Sequence, residues 1–324
     1  MYKPVYKLRD WIKEDRLNPR ILSLNIHAID YLKKNPEKID WNSLSENTAA
    51  YELHEKNIDK IEWSRYCRNT KTMDLLKENK DKINWSSLSA NPYAYEFLLN
   101  HYEEIDWIYF SLNTRAIEVL AKNQDKIHWS NLSENPNAIS ILKENPEKID
   151  WCKLSTNPNA SEIFRLHLDE LYTSELSDLW EEISYYCNDM QFLLENKDAL
   201  HWNICGNENA CDFLIENQEL IDWKIFYMSP KALEFTKKYY PEKIKEKMQS
   251  LSYAPWAIDI LEQNQDQINW NNISLNRNIF ELDYAQMKEN IAPLEDELLK
   301  VVLHPMRVNM YLKKYNYNIS ELYY

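Results

Sequence analysis

The stretch Ile127-His128-Trp129-Ser130-Asn131-Leu132-Ser133-Glu134-Asn135-Pro136-Asn137-Ala138-Ile139-Ser140-Ile141-Leu142-Lys143-Glu144-Asn145 contains two helix starts, and it recurs along the chain. Asn135 before Pro136 reads as an N-cap with proline at the first helical position, where the missing N–H is harmless. The spacing predicts a helix of about two to three turns through Leu142. Asn145 would then end it as a left-handed C-cap, the usual substitute when Gly is absent. Pro146-Glu147-Lys148-Ile149-Asp150 leads into a shorter helical piece with Asp150 as N-cap and Trp151 and Leu154 on one face.

Trp41, Trp63, Trp85, Trp107, Trp129 and Trp151 stand one 22-residue interval apart, each with an Ile two places before it. The helix-ending Asn recurs at Asn35, Asn57, Asn79, Asn123, Asn196, Asn217 and Asn264, with His101 and His167 in its place in two units. So regular a period predicts an all-α fold: an α-solenoid of short helix pairs repeating every 22 residues, with a helical C-terminal cap. Ridge packing at roughly 8–10 Å per unit would draw about a dozen units into an elongated rod or arc.

The first unit sits near Leu17 with Pro19 in the Trp place, and the clean series ends at Trp151. The unit near Tyr172 and Thr173 lacks its Trp, and the next in phase, Trp202, comes 29 residues later instead of 22. The excess reads as an insertion around Ser174 to Trp180. The series shortens by one residue through Cys205-Gly206-Asn207, meets Lys245 where a Trp would stand, and closes at Trp270. These breaks divide the chain into an array over residues 1–278, regular over 17–172 and irregular over 173–278, and a capping element over 279–324.

Composition narrows the function. Gly206 is the single glycine of 324 residues, so no P-loop, Rossmann fingerprint or kinase glycine loop can be built. A net charge of −14 and a pI near 5.1 argue against nucleic acid and favour a basic protein partner. Five cysteines without C-x-x-C spacing point to reduced, mostly buried thiols. No stretch resembles a signal peptide or approaches the roughly 20 apolar residues of a membrane span. The expectation is a soluble, cytoplasmic protein.

The Trp ladder could offer stacking faces to bases or sugars. Core packing is preferred, because each Trp shares an apolar face with an Ile and a Leu and buries a large area. A second ladder, Asp30, Glu52, Asp74, Glu96, Glu118 and Glu162, continuing at Asp212, Glu234 and Asp259, lies two residues after the Ala position of each unit. It is a candidate partner-binding stripe. Pairing with Lys33, Lys34, Lys56, Lys77 and Lys122, three or four residues onward, explains it more simply. His201, Cys205 and Cys211 match no common zinc spacing, and no nucleophile and base can be placed together. No metal, cofactor or catalytic residue is expected.

Leu132-Ser133-Glu134-Asn135-Pro136-Asn137-Ala138-Ile139 with Lys148-Ile149-Asp150-Trp151, and the ending Asn278-Ile279-Phe280-Glu281-Leu282-Asp283-Tyr284 with His304-Pro305-Met306-Arg307-Val308, resemble the large repeat-protein families encoded by giant DNA viruses. The resemblance covers nearly the whole chain and implies the repeat array and its ending. It implies no catalytic residues. The leading expectation is a non-catalytic scaffold binding a host or viral protein along one face. The alternative is a structural component of a virus particle, and a third class, an enzyme, would need a deep pocket at the irregular units.

Overall fold

A computed structural model describes residues 4–173, 177–223, 225–226 and 229–315, and it divides into two compact units, Lys13–Ile279 and a smaller one formed by residues 1–12 with 280–324. Among the described residues the fold is all-α apart from one pair of three-residue strands. A representative repeat runs through a helix Trp129–Glu134, a turn, a second helix Ile139–Glu144 and a 3₁₀ turn Pro146–Lys148 before the next Trp helix, Trp151–Leu154. The fully buried apolar positions are the Leu of each helix and the Ala before the second one: Leu132, Ala138 and Leu142 all have 0% exposure.

Asn135 does not start a helix. It closes Trp129–Glu134, and the second helix begins only at Ile139. The side chain is spent elsewhere. Its Oδ1 accepts the Asn137 N–H (3.1 Å), while Nδ2 donates to the carbonyls of Ser111 (3.0 Å) and Asn113 (3.2 Å) in the preceding unit. Asn47, Asn113, Asn157 and Asn276 repeat this clamp at separations of 24 and 22 residues. These amides are buried, and a buried amide is stable only with its donors and acceptor occupied.

Two residues before each clamp a serine completes the joint. Ser133 donates to the Trp129 carbonyl (2.9 Å) and accepts the backbone N–H of Asp150 (3.0 Å), the N-cap of the next Trp helix. Ser23, Ser45, Ser89 and Ser111 accept in the same way from Asp40, Glu62, Asp106 and His128.

The helix-ending asparagines are not left-handed either. Asn145 has φ −136° and ψ 58°, and its neighbours in the series, His101 included, have similar angles. Most residues of the series use the side chain as a donor that reaches back one turn. Asn145 Nδ2 donates to the Ile141 carbonyl (2.9 Å), Asn35, Asn57, Asn79, Asn123, Asn196, Asn217 and Asn264 do the same, and His101 Nδ1 lies 2.9 Å from the Phe97 carbonyl. His101 thus supplies the donor that asparagine supplies elsewhere, whereas His167 turns its Nδ1 to Glu170 (3.1 Å).

The array is not a rod with two ends. Within Lys13–Ile279 the first repeat docks on the last through the contacts that join consecutive repeats. Asn18 N–H donates to Ser274 Oγ (2.9 Å), and Asn25 Nδ2 donates to the carbonyls of Ser274 (3.2 Å) and Asn276 (3.1 Å). Helix Pro19–Leu24 thus packs against Trp270–Leu275 as well as against Trp41–Leu44. A chain of equivalent joints whose last joins its first is a closed ring. The clamp register passes through Asn25, Asn47, Thr70, Asn91, Asn113, Asn135, Asn157, Cys187, Asn207, Ser229, Ala254 and Asn276. Roughly 8–10 Å per packed helix gives such a ring a circumference on the order of 100 Å at the helix axes.

The irregular units keep this register by local adjustment. The Trp missing near Tyr172 is Trp180: Ser184, four residues after it, donates to its carbonyl and accepts the His201 N–H (3.0 Å). Residues 174–176 of the expected insertion lie outside the described residues. Across that joint Asn188 N–H bonds to the Pro158 carbonyl (3.0 Å), and Arg165 pairs with Asp189 (3.1 Å) and Glu195 (2.6 Å). Trp202–Gly206 is a 3₁₀ helix, whose tighter winding holds the register with one residue fewer. Met248, not Lys245, fills the next Trp place, since Ser252 donates to its carbonyl and accepts from Asn269. The added residues are taken up by longer elements: Pro230–Tyr239 stands in place of Ile139–Glu144, and the six-residue helix Pro241–Glu246 in place of the three-residue turn Pro146–Lys148.

The smaller unit is not purely helical and does not begin at residue 279. Strand Tyr6–Leu8 pairs antiparallel with Phe280–Leu282, Lys7 opposite Glu281 with their charges 3.1 Å apart. The N-terminal residues 1–12, expected in the array, therefore belong with the ending. Asp283 caps the helix Tyr284–Val302 by accepting the Gln286 N–H (3.0 Å), and a helix Pro305–Tyr315 follows. Residues 316–324 of the expected capping element lie outside the described residues.

Candidate interaction surface

The six ladder tryptophans are half-buried, packed on the core edge rather than sealed within it. Their outer faces carry cations. Lys60 Nζ lies 4.9 Å from the Trp41 ring centroid, Lys82 5.6 Å from Trp63, Lys126 4.5 Å from Trp107 and Lys148 4.4 Å from Trp129. Arg16 stands 4.8 Å over Trp270 across the closing joint. Each of these cations sits three residues before the Trp position of its own unit. Cation–π contacts of this kind contribute about 0.5–1 kcal/mol each at exposed sites.

Asp30, Glu52, Asp74, Glu96, Glu118 and Glu162 all fall in the first turn of a second helix. Those helices are preceded by Ala28, Ala50, Ala94, Ala116 or Ala160, or by Met73, none of which gives a side-chain cap, so an acid there offsets the free amide dipoles. Pairing runs between units as well as along helices. Lys33 reaches Glu52 (2.8 Å) and Asp30 (4.0 Å), Arg115 reaches Glu96 (3.4 Å), Lys143 pairs with Glu162, and Lys77 with Asp74 (3.6 Å). Glu118 has no ion pair among those described. The stripe is thus mostly occupied by the chain's own cations, a geometry that favours surface pairing over an open acidic site.

Large apolar side chains are unevenly exposed. Before Leu166 the array exposes Ile26, Tyr93 and Ile108; from Leu166 to Tyr239 it exposes Leu166, Tyr172, Tyr185, Tyr186, Leu194, Trp202, Leu220 and Tyr239. Tyr185 and Tyr186 touch with ring centroids 4.8 Å apart, and Trp202 and Leu220 line one groove with Ile221, Asp222, Trp223, Glu246 and Lys247. Sequence reading missed this clustering, although the signal was there: these are the units whose register slips.

The same region holds a cavity of about 150 Å³ lined by Tyr185, Cys205, Gly206, Cys211, Phe226 and Trp256, among others. A Cβ on Gly206 would come within 2.5 Å of the Tyr185 ring, so the single glycine marks a close approach and not a positive φ. Burial raises the Cys205 and Cys211 thiols above their ordinary range, and pushes Cys67 and Cys187 up to about 11. Protonated thiols are poor nucleophiles. Cys205 stands in the joint-serine position, accepting the Asp222 N–H at 3.1 Å, and Cys67 takes the Asn84 N–H in the same register. Their role is structural, while Cys152 is exposed.

Among the described residues no three metal-ligating side chains converge, and no helix is long and apolar enough to cross a membrane. No protein family, curated protein or solved structure matches the chain.

Proposed function

We propose that this protein is a non-catalytic repeat scaffold that binds a protein partner, and that the binding surface lies on the irregular units between Leu166 and Tyr239. The observation that carries this reading is the run of exposed large apolar side chains there, against few in the regular units. Exposed apolar surface is costly to keep in water and marks contact sites when it gathers in one region. The regular joints serve stability, each with its amide and hydroxyl donors satisfied inside the array. The net charge of −14 favours a basic partner. The resemblance to giant-virus repeat proteins points to a host or viral protein.

A particle component bridging others end to end fits less well, because the array Lys13–Ile279 closes on itself and offers no free end. The test is affinity capture from producing cells with the full chain and two variants. Tyr186→Ser with Leu194→Ser and Tyr239→Ser should lose the captured partner, while Tyr93→Ser with Ile108→Ser should retain it. The reverse pattern would move the binding surface to the regular units.

A further inference from the structure

Four joints of the regular array place a cation over the indole of the preceding unit, and the residue that supplies it stands three before the next Trp position: Lys60 before Trp63, Lys82 before Trp85, Lys126 before Trp129, Lys148 before Trp151. At the joint after Trp202 that register falls on Leu220, three before Trp223. No cation among the described residues stands over Trp202. Trp202 is 53% exposed, and the other eleven tryptophans are buried or partly buried.

Other joints that lack the cation cover their indole differently. Trp85 lies against Phe97 and His101, Trp151 against His167, Trp223 against Tyr240 at 4.7 Å, and Trp180 is buried. Among the described residues Trp202 touches only its chain neighbour His201 in this way, at 5.0 Å, and it remains open to the groove. Asp222 and Glu246 bring carboxylates to that groove, with Lys247 the one cation among its described lining residues.

We propose that the indole face of Trp202 is a vacant cation seat, and that it receives a lysine or arginine side chain from a basic segment of a partner protein. The chemistry is the one the array uses on itself at Trp41, Trp63, Trp107 and Trp129. An aromatic face attracts a cation through its quadrupole, and flanking carboxylates add to the attraction. The occupant is a basic peptide segment because an open groove can hold the residues on either side of the seated cation, and because the chain is strongly acidic. This inference rests on the reading of the irregular units as the partner-binding surface.

The test uses the full chain and the indole N–H resonance of Trp202, assigned by its loss in Trp202→Phe. A lysine-containing hexapeptide should shift that resonance saturably, with affinity falling as salt rises, and its norleucine counterpart should not. Tetramethylammonium alone should shift it only weakly, which separates a seated peptide from a free organic cation. Leu220→Lys restores the array's own cation and should lower the affinity for the lysine peptide at least tenfold while leaving the other indole resonances in place. Equal shifts with the norleucine peptide, no shift with the lysine peptide, or unchanged affinity in Leu220→Lys would each overturn the proposal. If Leu220→Lys blocks the peptide yet cellular capture persists and still depends on Tyr186, Leu194 and Tyr239, the seat is not what holds the partner and the scaffold reading stands. Loss of that dependence would remove the scaffold reading itself.

Discussion

Asn18 and Ser274, 256 residues apart in sequence, are joined by a hydrogen bond of 2.9 Å from the Asn18 backbone N–H to the Ser274 hydroxyl. It is the bond that Asp40 makes to Ser23 and Asp150 makes to Ser133, so the array treats its two ends as consecutive units. A repeat stack with open ends needs caps, because the terminal units expose the face that a neighbour would bury. Closure removes that need for Lys13–Ile279.

A chain of residues 13–279 should therefore fold as a monomer. Hydrogen exchange should find the amides around Trp270 as protected as those around Trp85, because both helices have neighbours on both sides. Protection lost first around Trp270, or aggregation of the shortened chain, would return the capping role to residues 280–324.

Replacing Asn135 by Ala should cost about 2–4 kcal/mol in denaturant unfolding, because it deletes two buried inter-unit hydrogen bonds and leaves the Ser111 and Asn113 carbonyls short of a donor. Asn137→Ala, which removes an exposed bond to Thr114, should cost less than about 1 kcal/mol. Equal costs would show that the clamp position is not special.

Much of this fold was legible in the sequence because a 22-residue period is a statement about neighbours. Trp, Ile and Leu at fixed places give the all-α repeat and its packed edge. The use made of asparagine was not legible. Asn135 and Asn145 look alike in sequence as helix punctuation, yet one clamps the preceding unit and the other reaches back to its own helix. Local propensity does not encode which carbonyl an amide will find. Closure was equally hidden, because it depends on small rotations summed over the whole array, and no single repeat states that sum. Arg16 carried a faint signal: it continues the series Lys38, Lys60 and Lys82 although no repeat Trp precedes it at their spacing in the chain. Of the candidate site, the acids were visible by spacing. Trp202 was noted only as a ladder member, because its exposure follows from what Leu220 fails to supply.

His54 gives a pH dependence with a definite sign. Burial holds its pKa below the ordinary histidine value, against the opposing effect of a hydrogen bond from Nε2 to the Leu44 carbonyl at 3.0 Å. The unfolded chain then binds the proton more readily, so this contribution is fully present above the unfolded value of about 6.5 and is lost as pH falls through it toward the folded value. Unfolding of the wild type between pH 7.5 and pH 5 should lose more stability than that of His54→Gln. The difference cannot exceed about 1.4 kcal/mol per pH unit for one group. Parallel pH profiles would mean that His54 is not buried in its neutral form.

The acidic stripe supplies the last test, since its two readings diverge on binding and hardly at all on folding. Glu52, Glu96 and Glu162 face Lys33, Arg115 and Lys143 of neighbouring units, and all three acids are substantially exposed. Exposed pairs contribute about 0–1 kcal/mol each. The triple variant Glu52→Gln, Glu96→Gln, Glu162→Gln should therefore remain folded, with an unfolding midpoint only modestly lowered. If these acids serve their neighbouring cations, capture of the partner at physiological salt should not change. If capture is lost with the fold intact, the stripe binds the partner, and capture by the unmodified chain should also weaken steeply with salt, because exposed attractions are screened over about 8 Å at physiological ionic strength.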